Sequence, residues 1–317
     1  MTERFIVSRR RSGFGDSLWS LAPAWRYAQL TKRTLVIDWR GSCYLDAPFT
    51  NAFSLFFEPN RAIDGVPVIS DDSVNQLSLP GPFFPSWWNK AVIDTVYRPD
   101  EQIFLERDQL QELFRSQQDI DAKTIICDAC LMFLGDAESE KQVFHSLQLK
   151  DEIKARIESV YREYFHGYSV IGVHVRHGNG EDLLGLTPYW ADPDDALQQV
   201  CATIERAKSL PHEHPVRVFL CTDSAKVLDA VSAKFPDLFI LPKQFRADQA
   251  GPLHRPALGI DGARMALVEM YLLARCNTVI RFPVKSAFSR YARLSAPRTV
   301  PVEPSGFTWS KFSRIFR

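Results

Sequence analysis

Apolar runs of strand length alternate with helical patterns through the second half of this 317-residue sequence, and this alternation restricts the fold more than any other feature. Strands that alternate with helices form a parallel sheet with helices on both faces, because a parallel pair needs a crossover connection. The pattern predicts strands at 169–175, 216–221, 238–241 and 278–282, and helices at 195–208, 225–235, 262–275 and from Ser286 onward.

The first half opens with a similar unit. A strand at 4–8 leads into a loop that contains Gly13 and Gly15, then into a helix and a second strand at 34–38. Pro23 should distort that helix or lie near its first turns. Strand, glycine turn, helix and strand is the opening of a nucleotide-binding unit, although Gly-x-Gly is a weak signature without a third glycine.

An amphipathic helix at 149–165 separates the two halves. At roughly 150 residues per domain, the chain has room for two domains. We therefore predict an α/β fold of two Rossmann-like domains, residues 1–150 and residues 151–317.

Composition excludes several classes of function. Basic and acidic residues are equal at 38 each, so no nucleic-acid partner is expected. No apolar run approaches the roughly 20 residues that span a bilayer, and the N-terminus lacks a signal-peptide core, so we expect a cytoplasmic protein. The lone pair Cys127 and Cys130 is interpreted as the end of a strand rather than a metal or redox motif.

The stretch from His174 to Asp182 follows the strand at 169–175 and carries the strongest functional signal. Ligands bind at the carboxyl ends of strands in open α/β sheets, and Arg176 there could hold a phosphate by two parallel hydrogen bonds. Two glycines let backbone N–H groups approach an anion, while Glu181 and Asp182 are carboxylates suited to proton transfer. The stretch predicts an enzyme that uses a nucleotide-activated donor.

Two further polar strand ends should face the same crevice if the sheet is parallel. The run Thr222–Ser224 could bind ribose or base edges, or could only cap the next helix. Ser286, with Ala287 and Phe288 after it, could cap the last helix, bind phosphate through N–H groups, or do both.

Two sets of carboxylates have alternative roles. The Asp-x-Asp pattern of Asp192 and Asp194 predicts a helix start rather than a metal site, because acids suit the first turn of a helix. Glu269 lies in an apolar helical run and needs a partner. That partner is either a ligand hydroxyl or a structural arginine such as Arg275 or Arg281.

Aromatic residues outside the predicted elements suggest carbohydrate or membrane contacts. Trp87–Trp88 and Tyr189–Trp190 fall in loops, where ring faces could stack on sugars or bases. The tail at 305–317 alternates aromatic and basic residues. It either packs back on the protein or makes peripheral contact with a membrane surface.

Several long strings of residues are similar to a known family. The strings are Ser8–Asp16, Ile37–Tyr44, Gly81–Pro85, Gly172–Asp182, Phe219–Ser224 and Val279–Pro283. On these strings the chain resembles, from about residue 4 to 297, the rhizobial nodulation fucosyltransferases of the NodZ family. These are α1,6-fucosyltransferases of the GT-B fold, related to eukaryotic core α1,6-fucosyltransferases and protein O-fucosyltransferases.

The resemblance implies an inverting transfer of L-fucose from GDP-fucose, without metal or cofactor. The implied acceptor is the 6-hydroxyl of the reducing-end N-acetylglucosamine of a chitooligosaccharide, in vivo a lipo-chitooligosaccharide. A fucosyltransferase acting on another glycan and a non-catalytic sugar- or nucleotide-binding module remain the alternatives.

The resemblance also assigns residues. The family's indispensable arginine falls on Arg176, and its catalytic acid best matches Glu181, with Asp182 beside it. Related enzymes have a second arginine at the position of His177, and a lysine before their acid that this loop lacks. The expected GDP-fucose contacts are Gly13, Gly15, His174, His177, Asn179, Thr222, Asp223, Ser224, Glu269, Ser286, Ala287 and Phe288.

Overall fold

The computed structural model of the protein describes residues 3–10, 12–45, 47, 49–89, 103–128, 136–177, 193–245, 259–284 and 286–302. The chain divides into two units, Met1–Lys154 and Ala155–Arg317, and each is built around its own sheet. Among the described residues, no helix is both long enough and apolar enough to cross a membrane.

Within the described residues, the N-terminal sheet has six strands in the order β3-β4-β2-β1-β6-β5. All neighbours are parallel except β3 and β4, which form an antiparallel pair. Because β1 lies between β2 and β6, the direction of the winding reverses between β1 and β6. The strands are β1 (Phe5–Ser8), β2 (Thr34–Ile37), β3 (Ala62–Ile63), β4 (Val66–Ile69), β5 (Phe83–Phe84) and β6 (Thr124–Cys127).

The helices of this unit are α1 (Phe14–Thr31), α2 (Ala52–Phe56), α3 (Ile103–Ser116), α4 (Ala137–Ser146) and the first residues of α5 (Asp151–Val160). Helix α1 is buried on most sides because it packs between the sheet and α4. Pro23 lies inside α1 and is buried. The expected position in the first turns is therefore wrong.

The described part of the C-terminal sheet has four parallel strands in the order β10-β9-β7-β8. They are β7 (Ser169–Val175), β8 (Val216–Thr222), β9 (Thr278–Phe282) and β10 (Arg298–Pro301). The helices are α6 (Pro193–Lys208), α7 (Ala225–Lys234), α8 (Gly259–Leu273) and α9 (Ala287–Ser295), and a π-helical turn at Tyr161–Phe165 follows α5.

Strand β7 is buried on both faces, as a central parallel strand must be. Ile171, Val173 and Val175 belong to an apolar cluster with residues of α6 and α7. On the other face, a Cβ added to Gly172 would lie 2.6 Å from Cys276 Sγ, so only glycine lets the end of α8 pack this closely.

The expected strands at 169–175 and 278–282 have the predicted bounds. The expected strand at 238–241 is wrong, because the segment forms only an isolated bridge between Phe239 and Phe219. Strand β10 was not expected. It is an edge strand with half-exposed residues, so its sequence lacks a buried apolar pattern.

Candidate functional site

The carboxyl ends of three neighbouring strands meet in the C-terminal unit. The register places Val175 of β7 beside Thr222 of β8 and beside Phe282 of β9. The backbone N–H of Arg176 donates to the carbonyl oxygen of Phe282 at 2.8 Å, which joins two of these ends. Since β7 lies between β8 and β9, this edge is a topological switch point, where open α/β sheets bind their ligands.

Arg176 and Asp223 form an ion pair at this edge. Arg176 Nε lies 3.3 Å from Asp223 Oδ2, and the two side chains are 24% and 7% exposed. Asp223 Oδ1 also accepts a hydrogen bond from the backbone N–H of His177 at 2.7 Å. The carboxylate therefore fixes both residues that follow β7, and Arg176 retains solvent-accessible surface through which it can meet an anion.

His174, near the end of β7, is a buried, neutral imidazole on which the charges of Arg176 and Asp223 act. Its ring stacks on Phe288 of α9, with centroids 5.1 Å apart. Burial, reinforced by the nearby charge of Arg176, lowers the pKa of His174 to about 3. His177 is buried as well, and burial lowers its pKa. Neither imidazole adds a positive charge to the site at neutral pH.

The three residues Thr222–Ser224 have different roles in the turn after β8. Ser224 is the N-cap of α7, and its Oγ accepts from the backbone N–H of Val227 at 3.4 Å. Thr222 Oγ1 accepts from the N–H of Ser224 at 3.3 Å. Both hydroxyls thus support the turn, and Asp223 is the residue of this run that reaches Arg176.

Glu269 of α8 is buried, and its partner is a residue that the sequence did not suggest. The ammonium of Lys243 contacts Glu269 Oε1, and it also donates to the carbonyl oxygen of Thr222 at 3.0 Å. The expected arginine partners are wrong. Arg275 pairs with Glu158 at 2.6 Å, while Arg281 donates to Ser289 Oγ and to the carbonyl oxygen of Val284.

Helix α9 begins directly after β9 at the same edge. Ser286 is its N-cap, but its side chain makes no capping hydrogen bond. The N–H of Ser286 donates to the carbonyl oxygen of Pro283 at 3.0 Å. The N–H groups that a phosphate can meet are therefore those of the first turn, at Ala287 and Phe288, which have no acceptor within a helix.

Several expected site residues lie outside the described residues or in the other unit. Asn179, Glu181, Asp182 and Asp192 fall outside, as do Tyr189–Trp190 and the tail at 305–317. Pro193 opens α6 with Asp194 in its first turn, in agreement with a helix start. Gly13 and Gly15 lie in the N-terminal unit, at the start of α1.

Charged residues also follow the strands of the N-terminal sheet. Arg40 Nε and Nη2 each donate to Asp38 at 2.8 Å, and Arg9 Nε lies 3.5 Å from Asp38 Oδ2. Burial alone would raise the pKa of Asp38, but the hydrogen bonds from Arg40 and the charge of Arg9 outweigh it and lower the pKa. The side chains of Arg9 and Asp38 are only 2% and 3% exposed, so a ligand cannot reach them directly.

Trp88 belongs to this interior and is not a stacking platform. It is 2% exposed, its Nε1 donates to Glu106 Oε2 at 3.3 Å, and the guanidinium of Arg9 lies 5.7 Å from its ring centroid. The expectation of ligand stacking is therefore wrong for Trp88, whereas Trp87 is only partly buried against the same cluster.

Neither a thiol site nor a metal cluster is evident in the described part of the chain. Cys127 ends β6 in full burial, which raises the pKa of its thiol well above the usual value and opposes thiolate chemistry. In the ranges that the structure describes, no three His, Cys, Asp or Glu side chains group in a way that could hold a metal ion.

Comparisons with known proteins agree with this architecture. A protein named Nodulation protein Z, from Sinorhizobium fredii strain NBRC 101917 / NGR234, is 64% identical over 300 residues, which are 95% of this chain and 93% of the relative. A crystal structure of NodZ α-1,6-fucosyltransferase co-crystallized with GDP is 56% identical, with a TM-score of 0.84 over 97% of this chain and 98% of that chain. The same enzyme soaked with GDP-fucose gives a TM-score of 0.83 at 56% identity, with the same coverage of both chains.

The chain has two Rossmann-like units, and the C-terminal unit presents an accessible arginine at its switch point. Together with the similar solved structures, these features define a glycosyltransferase of the GT-B fold class. The model of the family described as Nodulation protein Z (NodZ) matches residues 2–307. The chain therefore belongs to the nodulation protein Z family.

Proposed function

We propose that this protein is an inverting α1,6-fucosyltransferase that moves L-fucose from GDP-fucose to a chitooligosaccharide. The proposed acceptor group is the 6-hydroxyl of the reducing-end N-acetylglucosamine, in vivo on a lipo-chitooligosaccharide. The observation that carries the proposal is Arg176, held by Asp223 yet accessible at the switch point, in a family with a member solved after soaking with GDP-fucose.

The C-terminal unit is the proposed donor site. As the acceptor oxygen attacks C1 of fucose, the bond between C1 and the β-phosphate oxygen breaks and negative charge grows on the departing GDP. Arg176 and the N–H groups at the start of α9 would offset that charge, and groups fixed before the reaction do so at little reorganisation cost. In this arrangement the nucleotide would contact His174, His177, Asn179, Thr222, Asp223, Ser224, Glu269, Ser286, Ala287 and Phe288.

The N-terminal unit is the proposed acceptor side. Gly13 and Gly15, the two proposed GDP-fucose contacts in this unit, lie at the start of the helix that follows β1, and Gly13 is the N-cap of that helix. Trp87 is partly buried, with its ring centroid 4.1 Å from that of Trp88, and the ring face away from Trp88 is the proposed stacking surface for a sugar. Trp87→Ala should therefore raise the KM for the acceptor and leave the KM for GDP-fucose unchanged.

Glu181 is the proposed catalytic base, with Asp182 as the second candidate. The acceptor hydroxyl must lose its proton as it attacks, and the carboxylate would take that proton. Glu181→Gln should keep GDP affinity, measured by calorimetry, and lower kcat by about 10²–10⁴-fold, the range for loss of a general base. Full activity in this variant would transfer the role to Asp182 or remove it.

The direct test of the function is a transfer assay. The protein is incubated with GDP-fucose and chitotetraose, and the product is identified by mass spectrometry as the tetraose plus one fucose. GDP binding without transfer to this acceptor or to other glycans would favour the non-catalytic module. Transfer only to another glycan would keep the enzyme and replace the acceptor.

Metal independence follows from the same site, because Arg176 and the N-terminus of α9 would neutralise the diphosphate. Activity should survive EDTA. Complete loss of activity that Mn²⁺ or Mg²⁺ restores would contradict this part of the proposal.

Peripheral contact of the tail at 305–317 with the inner membrane would suit a cytoplasmic enzyme whose acceptor bears an acyl chain. The alternating aromatic and basic residues are typical of such contact, but packing back on the protein is the favoured alternative. Deletion of 305–317 distinguishes the two. Membrane contact predicts lost vesicle binding with an unchanged melting temperature, whereas packing predicts a large drop in melting temperature.

A further inference from the structure

Lys243 is a buried cation at the donor edge that has no role in the chemistry proposed above. Its ammonium contacts Glu269 Oε1 and donates to the carbonyl oxygen of Thr222 at 3.0 Å. The side chains of Lys243 and Glu269 are 9% and 8% exposed. An ammonium offers three donors and no acceptor, so it can hold a carboxylate and a carbonyl at once.

The position of this pair matters more than its contribution to stability. A buried ion pair is weak evidence for stability, because the cost of removing two charges from water offsets their attraction. Thr222 is the last residue of β8, and Asp223 follows it directly. Lys243 therefore connects Glu269 to the turn whose carboxylate holds Arg176 at 3.3 Å.

The charges around Glu269 make its protonation state depend on Lys243. Burial raises the pKa of Glu269 above its usual value and the negative charge of Asp223 adds to this rise, while the charge and hydrogen bond of Lys243 oppose it. Cys221 of β8 also lies nearby, and burial raises the pKa of its thiol well above the usual value. His174 is a further neighbour, because the charges of Arg176, Arg281 and Lys243 all act on its imidazole.

We propose that Lys243 is a positioning residue for the donor site, which holds Glu269 as a carboxylate and fixes the turn after β8. This inference rests on the proposed function, because it takes the nucleotide of GDP-fucose as the ligand of that edge. A carboxylate only accepts hydrogen bonds, whereas a protonated Glu269 would present a donor on one oxygen. Loss of Lys243 would therefore change what the site can bind, beyond any effect on the fold.

The test measures the Kd for GDP by calorimetry across a pH series in the Lys243→Met variant. The readout is the ratio of variant to wild-type Kd, in which the titration of GDP itself cancels. Near about pH 6 the variant should bind GDP about tenfold or more weakly, which corresponds to one lost hydrogen bond to a charged group. The ratio should fall as rising pH ionises Glu269, down to the residual value set by the lost hydrogen bond to the carbonyl oxygen of Thr222.

Two further variants complete the test. In Lys243→Met/Glu269→Gln no carboxyl remains to titrate, so GDP binding should stay weak and the pH dependence of the ratio should disappear. Lys208→Met is the matched control, because Lys208 also pairs with a carboxylate, Asp237 at 3.2 Å, but on the surface. It should bind GDP as the wild type does at every pH.

A folded Lys243→Met variant with the wild-type Kd at every pH would overturn the inference, and so would a weaker Kd whose ratio does not change with pH. If the Met variant does not fold, Lys243→Gln, which can still donate to the carbonyl of Thr222, must show the same loss on the acid side. Wild-type protein that binds neither GDP nor GDP-fucose would instead overturn the proposed function and this inference with it.

Discussion

The two sheets end in the same types of residue but use them differently. In the N-terminal unit, Arg9 and Asp38 are 2% and 3% exposed, and Arg40 completes the charge pairing. In the C-terminal unit, Asp223 is 7% exposed, but the arginine it holds, Arg176, is 24% exposed. An arginine at the carboxyl end of a strand therefore identifies a ligand site only where part of its guanidinium stays accessible.

The first test of this comparison removes Asp38, the anion that pairs with both Arg9 and Arg40 in the N-terminal unit. Asp38→Ala should lower the free energy of unfolding by about 3–5 kcal/mol, because it leaves buried guanidinium groups without their counter-charge. Denaturant unfolding measures this loss. The matched control is Asp237→Ala, which breaks an exposed ion pair and should cost about 1 kcal/mol or less. Equal losses in the two variants would contradict a structural role for the N-terminal cluster.

The accessible arginine should show the opposite behaviour. Arg176→Lys keeps the charge but cannot span two diphosphate oxygens, so the transfer rate should fall at least about a hundredfold. Its melting temperature should change little, because the side chain is already partly solvated. Near-normal turnover in a transfer assay would refute the phosphate-binding role, and a large drop in melting temperature would make Arg176 structural like Arg9.

A pH series sharpens the C-terminal side of the comparison. His174 has a pKa of about 3 in the folded protein against 6.5 in the unfolded chain, so only the unfolded state takes up its proton between these values. Stability should be lost as pH falls from 6.5 towards 3, amounting to about 2 kcal/mol at pH 5. The His174→Phe variant should lack this component of the loss. Parallel unfolding curves for both proteins across pH would contradict a buried neutral imidazole.

The smallest expected effect separates capping from ligand binding at Ser224. Ser224→Ala removes an N-cap, so it should cost about 1 kcal/mol of unfolding free energy. If capping is the whole role of this hydroxyl, the Kd for GDP stays at the wild-type value. A marked loss of GDP affinity without loss of stability would instead make Ser224 a ligand contact.

The sequence alone predicted the elements that local patterns encode. The apolar runs at 169–175 and 278–282 became β7 and β9 with the same bounds. Because parallel strands end at one edge, the meeting of the ends of β7, β8 and β9 could also be expected before the structure, and the strand register confirms it. Periodicity and strand direction are properties of short segments, which is why they can be predicted without tertiary contacts.

Only the tertiary structure decided which partners the charged residues have. Glu269 needed a counter-charge, and the sequence offered Arg275 and Arg281, yet packing brought Lys243 instead. Likewise, the sequence around Arg9 and Trp88 does not indicate that they are buried, and the sequence around Arg176 does not indicate that it stays partly exposed. A side chain's periodic position fixes the face on which it lies. Its partner and its exposure depend on what long-range packing places against that face.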